Sequence, residues 1–290
     1  MTTHRLLIAS WLARSSLAAG GCLVVLSCAG VAPPPSFEDP PAPVVALPLS
    51  FREGLPELDV VVAAQHLSLM FDTGAGAAIA LSPSVLQRLP GVAYTGRTRR
   101  FRDARGELLS SREFLLSELA LGPLILHGVT GQELVYSEDF APPNREGYVG
   151  RALVARHRLL IDYAARRLTI LSGEAQPDER ELHERPPTPV DVDSNGIVVR
   201  ASLDGSRARF VLDTGATRSV LRLRGSSGRT ARHDLVVCGD ALPAFELLEP
   251  DMGPPGVDGM LGRSFFEARR VLVDLPGRQM WIGAPSVTTP

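Results

Sequence analysis

The sequence predicts an all-β chain made of two repeated halves. Three observations carry that expectation. Chain breakers are dense, with 24 Pro and 27 Gly among 290 residues and only 6% aromatics, which favours short strands and turns over helical bundles. The tetrapeptide Asp72-Thr73-Gly74-Ala75 recurs as Asp213-Thr214-Gly215-Ala216. Two further segments are echoed downstream in the same order, the mark of an internal repeat. At average composition one Asp-Thr-Gly in a chain of this length has a chance of about 0.05, and two, each closing an apolar strand, come to roughly one in a thousand.

In chain order, the first element is an export segment. Residues 1–14 carry Arg5 and Arg14 and no acid, and no charge follows from Ser15 to Phe37, with Leu17–Leu26 as the apolar centre. That is a basic n-region followed by an h-region. Val25-Leu26-Ser27-Cys28-Ala29 resembles a bacterial lipoprotein lipobox. The resemblance implies that Cys28 is lipidated and begins the mature protein, anchoring it to a membrane outside the cytoplasm. An uncleaved anchor remains open, because the uncharged run is long enough to span, and so does simple secretion. The Arg flank puts an anchored body on the outer side. Residues 29–43 read as an extended Pro-rich tether.

The body divides into a first half at 44–172, a linker at 173–189, a second half at 190–284 and a tail at 285–290. Leu58–Val62 and Leu67–Phe71 form a hairpin running into Asp72. Ile197–Leu203 and Arg207–Leu212 form another running into Asp213, joined by Asp204-Gly205, a strong hairpin turn. Ser82-Pro83 opens a short helix to about Leu89, with Ser as N-cap and Pro at N1; the second half replaces it with the loop Gly225-Ser226-Ser227-Gly228. Tyr148-Val149-Gly150-Arg151 is echoed by Met260-Leu261-Gly262-Arg263, and Leu159–Tyr163 by Val271–Leu275, both at an offset of 112 residues. Each continues into a short strand, Leu168–Leu171 and Gln279–Ile282. The Asp-Thr-Gly-Ala offset is 141, so the first half holds 29 extra residues. Thr98–Arg102, a turn at Asp103-Ala104-Arg105-Gly106, and Leu108–Leu116 read as an additional hairpin there. Gly225–Val237 is too short for an equal one.

Other chemistries find little support. A net charge of −2 supplies no global field for nucleic acid. Cys22, Cys28 and Cys238 make neither a disulfide scaffold nor a cysteine zinc site, and Cys238, after Leu235–Val237, reads as a small core residue. The six His, at 4, 66, 127, 157, 183 and 233, have no metal-ligand spacing, and neither HExxH nor GxSxG occurs. No metal or cofactor is expected.

The duplicated motifs resemble aspartic proteases of the retropepsin and pepsin type over roughly residues 50–283. Each half is closer to retropepsin; two halves in one chain look like the pepsin arrangement. The resemblance implies a bilobal fold of two pseudo-symmetric β-barrel halves with a cleft between them, and a monomer acting on polypeptide. Asp72 and Asp213 would be the catalytic pair. Thr73 and Thr214 would bond across the axis, and Gly74 and Gly215 would let the backbone approach the carboxyls. The hairpin tipped by Asp103, Ala104, Arg105 and Gly106 would be a single flap. The Gly150 and Gly262 segments would pack behind the loops. In the retropepsin pattern the following Arg pairs with an acid soon after the motif; Gly76-Ala77 and Thr217-Arg218 contain none, so the partners of Arg151 and Arg263 stay open.

The chemistry stands beside the resemblance. Two carboxyls facing one another cannot both ionise comfortably, so they share one proton: one serves as base for water, the other as acid for the scissile carbonyl. Pepsin-like enzymes commonly carry Ser or Thr where this chain has Ala75 and Ala216. Without that hydroxyl to lower a carboxyl pKa, activity is expected nearer neutral pH. The alternative is a non-catalytic peptide-binding or scaffolding lipoprotein of the same fold; degenerate relatives usually lose one Asp, and here both remain.

Overall fold

A computed structural model describes residues 26–27, 36–37, 44–102, 107–136, 145–172, 182, 186–251, 253 and 255–286. Cys28 and the expected flap tip, Asp103–Gly106, lie outside them. The chain is almost entirely β, and the duplication read from the sequence becomes a pseudo-twofold axis. Arg158–Asp162 and Arg270–Asp274 pair antiparallel, with Leu160 opposite Leu272, its own counterpart at offset 112. An antiparallel pair of equivalent strands in that register is related by a twofold passing between the two residues. The flanking strands extend the symmetry. Arg167–Leu171 and Val44–Pro48 continue the sheet on one side, Gln279–Gly283 and Thr188–Pro189 on the other. One six-stranded sheet thus joins the halves beneath both.

Each half then builds its own sheet. Leu55–Val62 pairs with Gln65–Asp72, Leu58 opposite Leu69. Gly196–Leu203 pairs with Ser206–Leu212, Val199 opposite Phe210, the same register shifted by 141. Alternation explains both: Leu67, Leu69 and Phe71, like Ala208, Phe210 and Leu212, point into one continuous core. Gly147–Gly150 and Gly259–Leu261 run parallel to the motif strands, setting Gly150 opposite Asp72 and Leu261 opposite Leu212.

The helix at Pro83–Arg88 forms as its sequence predicts: Ser82 Oγ accepts the Val85 amide at 3.3 Å, and Pro sits in the first turn. Two details depart from expectation. The second half contains a long hairpin, Ser227–Val237 with Asp240–Pro250, equivalent to Leu108–Leu121 with Leu124–Glu133 in the first half. Its strands are hard to recognise because they hold cross-strand ion pairs, Arg229–Glu249 and Arg232–Glu246, rather than β-branched residues. Second, Arg263–Ala268 is a short helix where the first half makes a 3₁₀ turn, Arg151–Val154. Among the described residues, what the first half has alone is the strand Ala93–Arg102, paired antiparallel with Leu108–Leu121 from Ala93 through Arg102. These are the arms of the expected hairpin, and Phe101 packs in one cluster with Ala75 and Tyr148.

Candidate active site

The two Asp-Thr-Gly-Ala loops meet on the axis at the ends of their strands. Asp72 and Asp213 are 0% exposed, as are Thr73 and Thr214. The threonines lock the loops reciprocally. The Thr73 amide donates to Thr214 Oγ1 at 3.0 Å, and the Thr214 amide to Thr73 Oγ1 at 3.1 Å. Each hydroxyl then donates onward across the axis, Thr73 to Leu212 O at 2.8 Å and Thr214 to Phe71 O at 2.7 Å. Four buried polar groups are satisfied that no single half could satisfy alone.

Within each loop the aspartate folds back on its own backbone. Asp72 Oδ1 accepts the Gly74 and Ala75 amides at 2.9 and 3.0 Å, and Asp213 Oδ1 accepts the Gly215 amide at 2.9 Å. The glycines are required by the opposite loop. A Cβ on Gly74 would lie 2.8 Å from Asp213 Cγ, and one on Gly215 would lie 2.6 Å from Asp72 Cγ. Each glycine therefore gives the partner's carboxyl its room.

Burial holds the Asp72 carboxyl well above the ordinary carboxylate range, and the facing charge of Asp213 adds to it. The Ala75 and Gly74 amides oppose the shift without cancelling it. Asp72 Oδ2 is buried without a protein hydrogen-bond donor among the described residues, while Asp213 stands within side-chain bonding range. Two acceptors that close are reconciled by one proton between them. Such a pair can take a proton from water at one carboxyl and give one to a carbonyl oxygen at the other.

The Gly-Arg segments pass behind the loops. The amides of Arg151 and Arg263 donate to Ala75 O and Ala216 O at 3.0 and 2.9 Å. Gly150 N reaches Ala78 O at 3.0 Å; in the second half Gly262 N reaches Ser219 Oγ at 3.0 Å instead. The open question of the two arginines resolves across the lobe boundary. Arg151 donates to Gly74 O at 3.1 Å and to Asp193 O, in the second half's entry strand, at 2.8 Å. Arg263 pairs with Glu267 at 2.6 Å and lies against Gly54 of the first half, where a Cβ would collide with its guanidinium. Backbone carbonyls replace the acid of the retropepsin pattern for Arg151, and carbonyl partners leave no trace in a sequence. Another contact invisible in the sequence is Tyr163, whose hydroxyl donates to Thr214 O at 3.4 Å while its ring stacks on Phe266 at 5.3 Å between centroids.

Arginines of the paired strands Ala93–Arg102 and Leu108–Leu121 bind acids of the same sheet. Arg99 Nε donates to Glu113 at 2.6 Å and Arg112 to Glu133 at 2.5 Å. Among the described residues no group of three His, Cys, Asp or Glu is arranged to hold a metal ion.

No protein-family model and no curated protein sequence matches the chain. Among solved structures it is similar to the crystal structure of the aspartic proteinase from Irpex lacteus, with a TM-score of 0.57 and 12% identity, over 85% of this chain and 98% of that one. The fold is the bilobal one of aspartic proteinases, two β-lobes on a shared sheet.

Proposed function

We propose that the protein is an aspartic endopeptidase in which Asp72 and Asp213 activate a water molecule against a peptide bond. One observation carries the reading: two fully buried carboxyls face each other on the axis, each clamped at Oδ1 by its own loop, with the Asp72 pKa raised. A scaffold that only bound peptides would have no need to keep both acids in a dry site that penalises their charge. The ionised carboxyl takes a proton from water as it attacks the carbonyl carbon; the protonated one donates to the carbonyl oxygen; the proton then passes to the leaving nitrogen as the tetrahedral centre collapses. The flap arms, with Phe101 in the same buried cluster as Ala75, would close on a bound chain and exclude water. Residues 1–28 would export the protein, and Cys28 would anchor it by lipid.

The test is cleavage of a diverse peptide mixture from pH 3 to 8 by the full chain in detergent, beside Asp72→Asn and Asp213→Asn. Cleavage by the parent and by neither variant is the expected result. Cleavage by all three would sink the assignment, and folded proteins that all fail to cleave would favour the binding scaffold. Cells fed an alkyne fatty acid should label the parent and leave Cys28→Ser unlabelled.

A further inference from the structure

The two aspartates are symmetric, but the side chains beside them are not. In each half one row crosses the sheet one pleat before the aspartate and on its face, since residues two apart in a strand share a side. In the first half the row is Glu57, Met70, Tyr148 and Ala80, each opposite the next. In the second it is Val198, Val211, Met260 and Val220, matched by the same pairings. All eight are buried.

The second row is wholly aliphatic and thioether, packed with Val257 and Leu248. The first carries a phenol at its centre and a carboxylate at its end. Glu57 is bound by Arg52 at 2.7 Å, by Ser68 Oγ at 2.7 Å and by the buried Arg145 at 3.5 Å. Tyr148 shares its cluster with Ala75, Phe101 of the flap arm and the half-buried Tyr136. Burial first, and then the charge of Asp72, raise the Tyr148 pKa; Tyr136 is likewise raised chiefly by burial and also feels Asp72. Both phenols therefore stay neutral and can donate beside the first carboxyl.

Resting on the proteolytic reading above, we propose that Tyr148 and Met260, equivalent positions of the repeat, set different preferences on the two sides of the scissile bond. The Met260 side takes an aliphatic side chain. The Tyr148 side takes a side chain with a hydrogen-bonding tip, an amide, hydroxyl or carboxyl, which reaches the phenol when the chain lifts Phe101. A buried phenol left without a partner penalises an aliphatic group there, while the aliphatic row penalises any polar one. The cleft thus has a direction that its dyad lacks.

The test sequences the bonds cleaved by the full chain in a randomised peptide mixture, beside Tyr148→Phe and Met260→Tyr. The parent should show polar side chains enriched on one flank only and aliphatic ones on the other. Tyr148→Phe keeps the ring, so the fold is retained, and should lower the polar enrichment about 10-fold, one hydrogen bond's worth, without altering the aliphatic flank. Met260→Tyr should bring polar residues to the second flank. Equal aliphatic preference on both flanks of the parent, or a pattern unmoved by Tyr148→Phe, would overturn the proposal. If none of the proteins cleaves, the proteolytic reading fails separately, and peptides retained by the immobilised full chain carry the test. Retention of polar–aliphatic pairs, lost in Tyr148→Phe, supports the asymmetry; unbiased or absent retention overturns it.

Discussion

Thr73 and Thr214 exchange hydrogen bonds across the axis, each backbone amide donating to the other's hydroxyl at 3.0 and 3.1 Å. The exchange makes the two halves one folding unit at the site, since neither loop completes its own bonding. Thr73→Val keeps the shape and removes the oxygen, leaving the Thr214 amide unpaired in a site with no exposure and taking the hydroxyl's bond from Leu212 O. At about 1–3 kcal/mol for an orphaned buried group and about 1 kcal/mol for a lost bond, the variant should lose about 2–4 kcal/mol in denaturant titration. Thr73→Ser, which keeps the hydroxyl, should lose much less.

Asp72 links stability to pH. Its carboxyl pKa is raised above the ordinary 3.8, by burial first and by Asp213 second. A raised folded pKa means that its contribution is fully present below the unfolded value and lost as pH rises through the folded one. Asp72→Asn cannot ionise, so its stability relative to the parent should rise from pH 4 towards pH 8. Urea unfolding across that range measures it; a constant difference would contradict the buried, shared-proton geometry.

His233 gives the same slope from a cation. Its Nδ1 lies 2.7 Å from Asp204 and its Nε2 3.0 Å from Glu249. Both nitrogens can donate only as the imidazolium. Burial lowers its pKa, but the two carboxylates outweigh that and raise it above 6.5. The clasp is complete below that value and lost as pH climbs through the folded pKa. His233→Gln should therefore cost stability at pH 6 and little at pH 9, read from thermal melts.

The two entry hairpins test turn chemistry within one molecule. Asp204 and Gly205 take φ of 47° and 80°, and their counterparts Ala63 and Ala64 take 49° and 60°. Left-handed geometry costs an Ala about 1 kcal/mol and a Gly almost nothing. Replacing Ala63-Ala64 with Asn-Gly should stabilise the protein by about 1–2 kcal/mol, raising Tm by about 2–4 °C.

The double Asp-Thr-Gly-Ala, the strands feeding it, the Ser82-capped helix and the 112-residue echo were all legible in the sequence, because each is local: an alternation, a cap, a turn. The hairpin Ser227–Val237 with Asp240–Pro250 was not, because its strand character rests on cross-strand ion pairs between residues 14 to 20 apart. The carbonyl partners of Arg151 were not, because every residue has a carbonyl and only the fold selects Gly74 and Asp193.

By itself the sequence determined that the chain repeats and that each repeat ends a strand on an aspartate. Covalent order and side-chain alternation suffice for that. Only the tertiary structure decided that Leu160 lies opposite Leu272, and so that the two aspartates come together. It also decided that Tyr148 and Met260, matched by the sequence echo, lie on the strands beside them. Such facts depend on desolvation and pairing between residues from about fifty to more than a hundred positions apart, where proximity is created by packing and is written in neither partner alone.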